Sequence, residues 1–132
     1  MLRTSAMLLL LMLIATVAFP QGRTRNQTWL SGAWEGKGYQ IDTDETWTMR
    51  LTVKGNKYLI EYPSLDCGGK WRPIRRNSWT ARFREEITRG VDTCTNMGNV
   101  VIQRLSRRQI AYRYSNRGSK EITASAILNR KK

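Results

Sequence analysis

Residues 46–53 alternate without a break. Trp47, Met49, Leu51 and Val53 share one face, and Thr46, Thr48, Arg50 and Thr52 share the other. A period of two, built from β-branched and aromatic residues, specifies a strand with one buried face. The pattern recurs along the chain at intervals of about ten residues. Lys54-Gly55-Asn56 reads as a hairpin turn, after which Tyr58 to Tyr62 returns. Trp79, Ala81, Phe83, Glu85 and Ile87 alternate with Thr80, Arg82, Arg84, Glu86 and Thr88. Asn99 to Leu105, Ile110 to Tyr114 and Glu121 to Leu128 follow, and Gly32 to Gln40 with a weaker run around Trp71 completes the set. Outside the N-terminus no run keeps the i, i+3, i+4, i+7 spacing of a helix. The chain is therefore expected to be all-β, an antiparallel up-and-down meander of about eight strands forming a small barrel or sandwich.

The N-terminus follows a different rule. Met1-Leu2-Arg3 leads into an uncharged apolar run from Met7 to Phe19. A spanning helix needs roughly 20 apolar residues, so this shorter run reads as a signal peptide. Thr16-Val17-Ala18 offers small residues for a cut after Ala18, and an uncleaved membrane anchor is the alternative. The expected organisation is a signal peptide at 1–18, a flexible leader at 19–30, a single β-barrel domain at 31–129 and a basic tail at 130–132. The protein is expected to be exported, periplasmic or secreted. Asn26-Gln27-Thr28 is a formal glycosylation sequon that has meaning in a eukaryotic source. In an oxidising compartment the two cysteines, Cys67 and Cys94, default to a structural disulfide. Both fall at expected strand ends, so the bridge should close one end of the barrel.

Composition narrows the function. The 132 residues hold 23 Lys plus Arg against 10 Asp plus Glu, a net charge of +13, and no histidine. Without imidazole, neither a Ser-His nor a Cys-His couple can form, and the commonest zinc ligand is missing. No metal and no cofactor is implied, and the chain is expected not to be an enzyme. Asp42, Asp44 and Glu45 cluster in one turn, where they read as solvated acids. Arg50, Arg82, Arg84 and Arg113 fall on outward faces and form a basic surface. Such a surface attracts anionic partners: an envelope polymer, a membrane surface or an acidic protein. No nucleic-acid-binding motif is present, so no specific nucleic-acid partner is expected.

Gly32-Ala33-Trp34-Glu35-Gly36 opens the first strand. A Gly-x-Trp there resembles the start of lipocalin-like and avidin-like (calycin-like) barrels, in which the Trp plugs one end. Tyr62-Pro63-Ser64-Leu65-Asp66-Cys67-Gly68-Gly69 is followed by Phe83-Arg84-Glu85-Glu86-Ile87-Thr88, Gly90 and Cys94. This order of motifs, over residues 32–128, resembles a small exported β-domain of bacteria. That resemblance implies an exported β-rich domain with a bridging disulfide, and it carries no catalytic residues. Gly68 and Gly69 themselves read as a sharp backbone turn beside Cys67, with an anion-binding nest as the alternative.

Glu85 shares its face with Trp79, Ala81, Phe83 and Ile87, the inward one. A buried carboxylate must be paired or hydrogen-bonded. It reads first as a barrel-end carboxylate paired with an Arg or a Tyr hydroxyl, and second as the polar anchor of an internal pocket. The aromatic residues are expected mostly to fill the interior. Trp34, Trp47, Glu85 and Tyr112 are the candidates for a pocket, were one open to a small apolar ligand. The function these features support is a non-catalytic exported binding module with a basic surface. A protein-binding inhibitor or sensor module is the alternative, and a small carboxylate-dependent hydrolase ranks last.

Overall fold

A computed structural model describes residues 29–132. The signal peptide, the sequon and most of the leader lie outside the described residues. Eight strands follow one another: β1 (Gly32–Gln40), β2 (Thr46–Lys54), β3 (Lys57–Tyr62), β4 (Cys67–Arg76), β5 (Thr80–Arg89), β6 (Asn99–Arg104), β7 (Gln109–Ser115) and β8 (Ile122–Arg130). Each pairs antiparallel with the next, and β8 returns to β1, so the sheet closes as a barrel. Closure leaves no unpaired edge along the sheet. The tightest connection is Gly55-Asn56, flanked by the Lys54–Lys57 pair. Gly55 takes φ +60° at the first central position, which suits the two-residue turns that match strand twist.

Alternation sorts the side chains as expected. Met49, Leu51 and Val53 of β2 are buried, as are Ala81, Phe83, Glu85 and Ile87 of β5. Trp79 departs from the expectation. Period places it inward, but β5 begins at Thr80, and in the preceding turn its ring swings out to 65% exposure. There the guanidinium of Arg104 lies 5.8 Å from its ring centroid. Inside, Trp71 stacks on Tyr112 at 5.8 Å, and Phe83 packs between Trp71 and Tyr58 at 5.5 and 4.8 Å. These rings fill the middle of the barrel.

One end of the barrel is shut. Trp34 is fully buried where β1 begins, and its Nε1 donates to the Leu30 carbonyl at 2.9 Å. The Arg130 guanidinium lies 4.1 Å from the Trp34 ring centroid. It donates to the carbonyls of Trp29 and Arg107, each at 2.9 Å, and to that of Ser31. Two expected boundaries move accordingly. Trp29 and Leu30 belong to the core rather than to a flexible leader, and Arg130 ends β8 rather than starting a tail.

Gly68 and Gly69 lie within β4, not in a turn. A register shift falls between them, and the Glu86 carbonyl of β5 occupies the place where a Gly69 Cβ would sit. The pair is glycine because two strands approach closely there.

Candidate functional site

The opposite end stays open. It is ringed by the connections at 41–45, 63–66, 90–98 and 116–121, which join the strands at the side where β1 ends. Between them lies a cavity of about 580 Å³, lined by Trp47, Tyr62, Glu85, Tyr112 and Tyr114 with Gln40, Glu45 and Cys94. That volume is in the range of small-molecule sites. The 3-10 turn Pro63–Leu65 is fastened to the wall by a reciprocal pair of bonds. Thr48 N donates to Ser64 Oγ at 2.8 Å, and Ser64 N donates to Thr48 Oγ1 at 3.0 Å.

Glu85 reaches the cavity from the wall of β5 and is 3% exposed. Trp71 Nε1 donates to its Oε2 at 2.8 Å, and the Tyr62 hydroxyl donates to the same oxygen. Neither bond falls on Oε1. Burial pushes the carboxyl's pKa up, while the two hydrogen bonds pull it the other way. Burial also holds the phenols of Tyr62 and Tyr112 well above their ordinary range. Tyr114 is pushed up to about 12, by burial first and then by the Glu85 charge. The inner walls are thus neutral aromatic groups around the buried Glu85 carboxyl, with Glu45 at the mouth. Two buried polar atoms of the lining residues, Trp47 Nε1 packed against Gly38 and the Tyr114 hydroxyl packed against Gly98, have no partner among the described residues.

A stability prediction follows from the burial of Glu85. A carboxyl whose folded pKa is raised contributes stability that is fully present below its unfolded pKa and is lost as pH rises through the folded value. Glu85→Gln keeps an acceptor for Tyr62 and Trp71 but carries no charge. The variant is expected to melt above the wild type at neutral pH, with the gap closing below about pH 4. A gap that does not change with pH would show that ionisation at this position costs nothing.

Comparison with protein-family models, curated proteins and solved structures finds no match to this chain. The geometry alone therefore ranks the sites.

Of the expected pocket residues, Trp47, Glu85 and Tyr112 meet in the cavity. Trp34 does not. It plugs the shut end, because β1 runs from that end upward and places its third residue at the bottom. Tyr62 and Tyr114 were not among the candidates, although alternation from Tyr58 and Ile110 places both inward. Cys67 and Cys94 are bridged, with Cα atoms 6.4 Å apart. The bridge sits at the open end and holds the 90–98 connection as part of the cavity wall, so it does not close the barrel. Among the described residues no group of three or more acidic or cysteine side chains could hold a metal ion.

The expected basic surface is uneven. Arg82 and Arg113 are exposed, Arg84 is half-buried, and Arg50 is matched by Glu35 at 3.1 Å and Glu61 at 3.7 Å. The stronger pattern is by end. The shut end gathers Lys54 and Lys57, Arg75 and Arg76, Arg104, Arg107 and Arg108, and Arg130 to Lys132. No Asp or Glu lies in its connections. Glu35, on the wall above, takes up Lys131 at 3.2 Å. The open end holds Asp42, Asp44, Glu45, Asp66, Asp92 and Glu121 against Arg89, Arg117 and Lys120.

Proposed function

We propose that the protein is a non-catalytic exported binding module that lies with its shut, basic end on an anionic lipid surface. The observation that carries this reading is the company the cations keep. Trp79 in the β4–β5 turn, Leu105 in the β6–β7 turn and Ile74 near the end of β4 are 65%, 46% and 61% exposed. They stand among Arg75, Arg76, Arg104, Arg107 and Arg108, and Arg104 N donates to the Trp79 carbonyl at 2.7 Å. Basic side chains ringing exposed Trp, Leu and Ile suit a headgroup layer, where cations meet phosphates and apolar tips enter the acyl boundary. A polysaccharide or a soluble acidic partner would use the charge and leave the apolar tips in water.

Like charges face each other here at a cost to stability. Arg75 opposes Arg82 directly across β4–β5, whereas Arg72, opposite Arg84, is paired with Glu86 at 2.6 Å. An anionic partner would relieve that repulsion. The barrel has an apolar inside and a largely polar outside, the reverse of a barrel that spans a bilayer. It would therefore lie on the surface, with the open end turned to solution.

Sedimentation with vesicles of phosphatidylcholine, with and without phosphatidylglycerol, tests the reading. Binding is expected only to the anionic vesicles and to weaken as salt rises. Arg107→Ala with Arg108→Ala should cost about 2 kcal/mol, roughly thirtyfold in affinity. Trp79→Ala should weaken vesicle binding while leaving retention on a soluble sulfated polysaccharide unchanged. Equal affinity for neutral vesicles, or no effect of Trp79→Ala on vesicles, would overturn it.

A further inference from the structure

The open end differs in chemistry from the basic end and stands apart from lipid docking. Four aromatic side chains, Trp47, Tyr62, Tyr112 and Tyr114, surround the Glu85 carboxyl. The cavity lining contains Glu45 and Glu85 and no Lys or Arg, in a chain whose net charge is +13. Cations are absent from the recorded lining of a cavity whose floor is an acid. An apolar occupant would seal Glu85 away from water with one oxygen unmet, which is costly. An anion would meet a carboxylate and the negative faces of aromatic rings.

From this we infer that the open end binds a small organic ammonium ion, its N–H group donating to Glu85 Oε1 and its charge lying against the rings of Trp47, Tyr62, Tyr112 and Tyr114. Aromatic faces attract cations most when water is excluded. A charge-assisted hydrogen bond to a buried carboxylate adds direction and strength. The cavity, about 580 Å³, has room for more than the ammonium group. The acidic rim formed by Asp42, Asp44 and Glu45 would draw a cation toward the mouth.

The groups that face Glu85 limit what pH can do. Tyr62 comes from β3, Trp71 from β4, and Tyr112 and Tyr114 from β7, with Glu45 at the rim. The phenols stay neutral to high pH. Between acid and neutral pH the change in the cavity floor is therefore the ionisation of Glu85. A bound ammonium lowers its pKa and draws its proton off, so affinity should rise with pH through that ionisation.

Three probes of nearly one shape and different charge test the inference by calorimetry on the full chain: phenethylammonium, phenethyl alcohol and phenylacetate. Phenethylammonium should bind at least about tenfold more tightly than the alcohol, and phenylacetate more weakly than either. Glu85→Gln should reduce phenethylammonium to the level of the alcohol and leave the alcohol unchanged. If that variant does not fold, the wild type supplies the second measurement. Acidification should weaken phenethylammonium and spare the alcohol. No preference for the cation, a preference that survives Glu85→Gln, a pH-independent affinity, or no binding of any probe would each overturn the inference.

Discussion

Arg130→Ala is expected to remove about 3 kcal/mol from the stability of the barrel, a fall in melting temperature of roughly 10–20 °C. The guanidinium does several things at once. It covers the Trp34 ring, and its nitrogens donate to the carbonyls of Trp29, Ser31 and Arg107. Those carbonyls belong to two separate segments, the turn before β1 and the β6–β7 connection. Truncation leaves them without a donor and uncovers a fully buried indole. A hydrogen bond from a charged donor contributes about 1.5–3 kcal/mol, and a cation on an aromatic face about 0.5–2, with partial exposure discounting both. Arg130→Lys should restore less than half of the loss, because an ammonium lacks the planar fork that reaches several acceptors from over a ring. Urea denaturation monitored by tryptophan fluorescence measures both. A loss under about 1 kcal/mol for Arg130→Ala would mean that Trp34 alone seals this end.

The sequence makes the face of each strand legible. The alternation in 46–53 and 80–88 placed Met49, Leu51, Phe83 and Glu85 inward, because a closed barrel has only two sides and the period is two. Trp79 shows where that logic ends. Period says nothing about where a strand begins, and one residue before β5 the same ring points into water. The pocket was half legible. Trp47, Glu85 and Tyr112 could be called inward, but height along the axis depends on register and on which end each strand starts from. Trp34 therefore looked equivalent to Trp47 and lies at the other end. Arg130 looked like part of a basic tail for the same reason. Its partner Trp34 becomes a neighbour only when β8 closes against β1.

Charge was the least legible feature. Along the chain the cations look scattered over faces and turns. In an up-and-down barrel, alternate connections fall at the same end. Lys54 and Lys57, Arg75 and Arg76, and Arg107 and Arg108 are therefore collected at one rim, and Asp42, Asp44, Asp66 and Asp92 at the other. The topology converts a spacing of about ten residues between turns into a molecule with two unlike ends. One end suits a surface, the other a small ligand, and neither use obstructs the other.

The disulfide separates those two ends experimentally. Replacing Cys67 and Cys94 together by alanine is expected to lower stability by about 3–4 kcal/mol in the chain-entropy account, for a bridge spanning 27 residues. Alanine avoids placing a new hydroxyl at the fully buried Cys67 position. The structural consequence should be local. The connection at 90–98 keeps Glu85 N donating to the Gly98 carbonyl and Ile87 N donating to Asn96 Oδ1, each at 2.9 Å. Its middle, Thr93 to Thr95, lines the cavity and is held to β4 by the bridge. Without the bridge that segment should exchange its amide hydrogens faster, and phenethylammonium should bind more weakly as the wall loosens. Vesicle binding should be unchanged at a temperature where the variant is still folded, because Trp79, Leu105 and the arginines around them stand at the far end. Vesicle binding that falls together with probe binding in the folded variant would show that the two ends do not act separately. Unchanged exchange in 90–98 would show that the hydrogen bonds at its ends suffice to hold the wall.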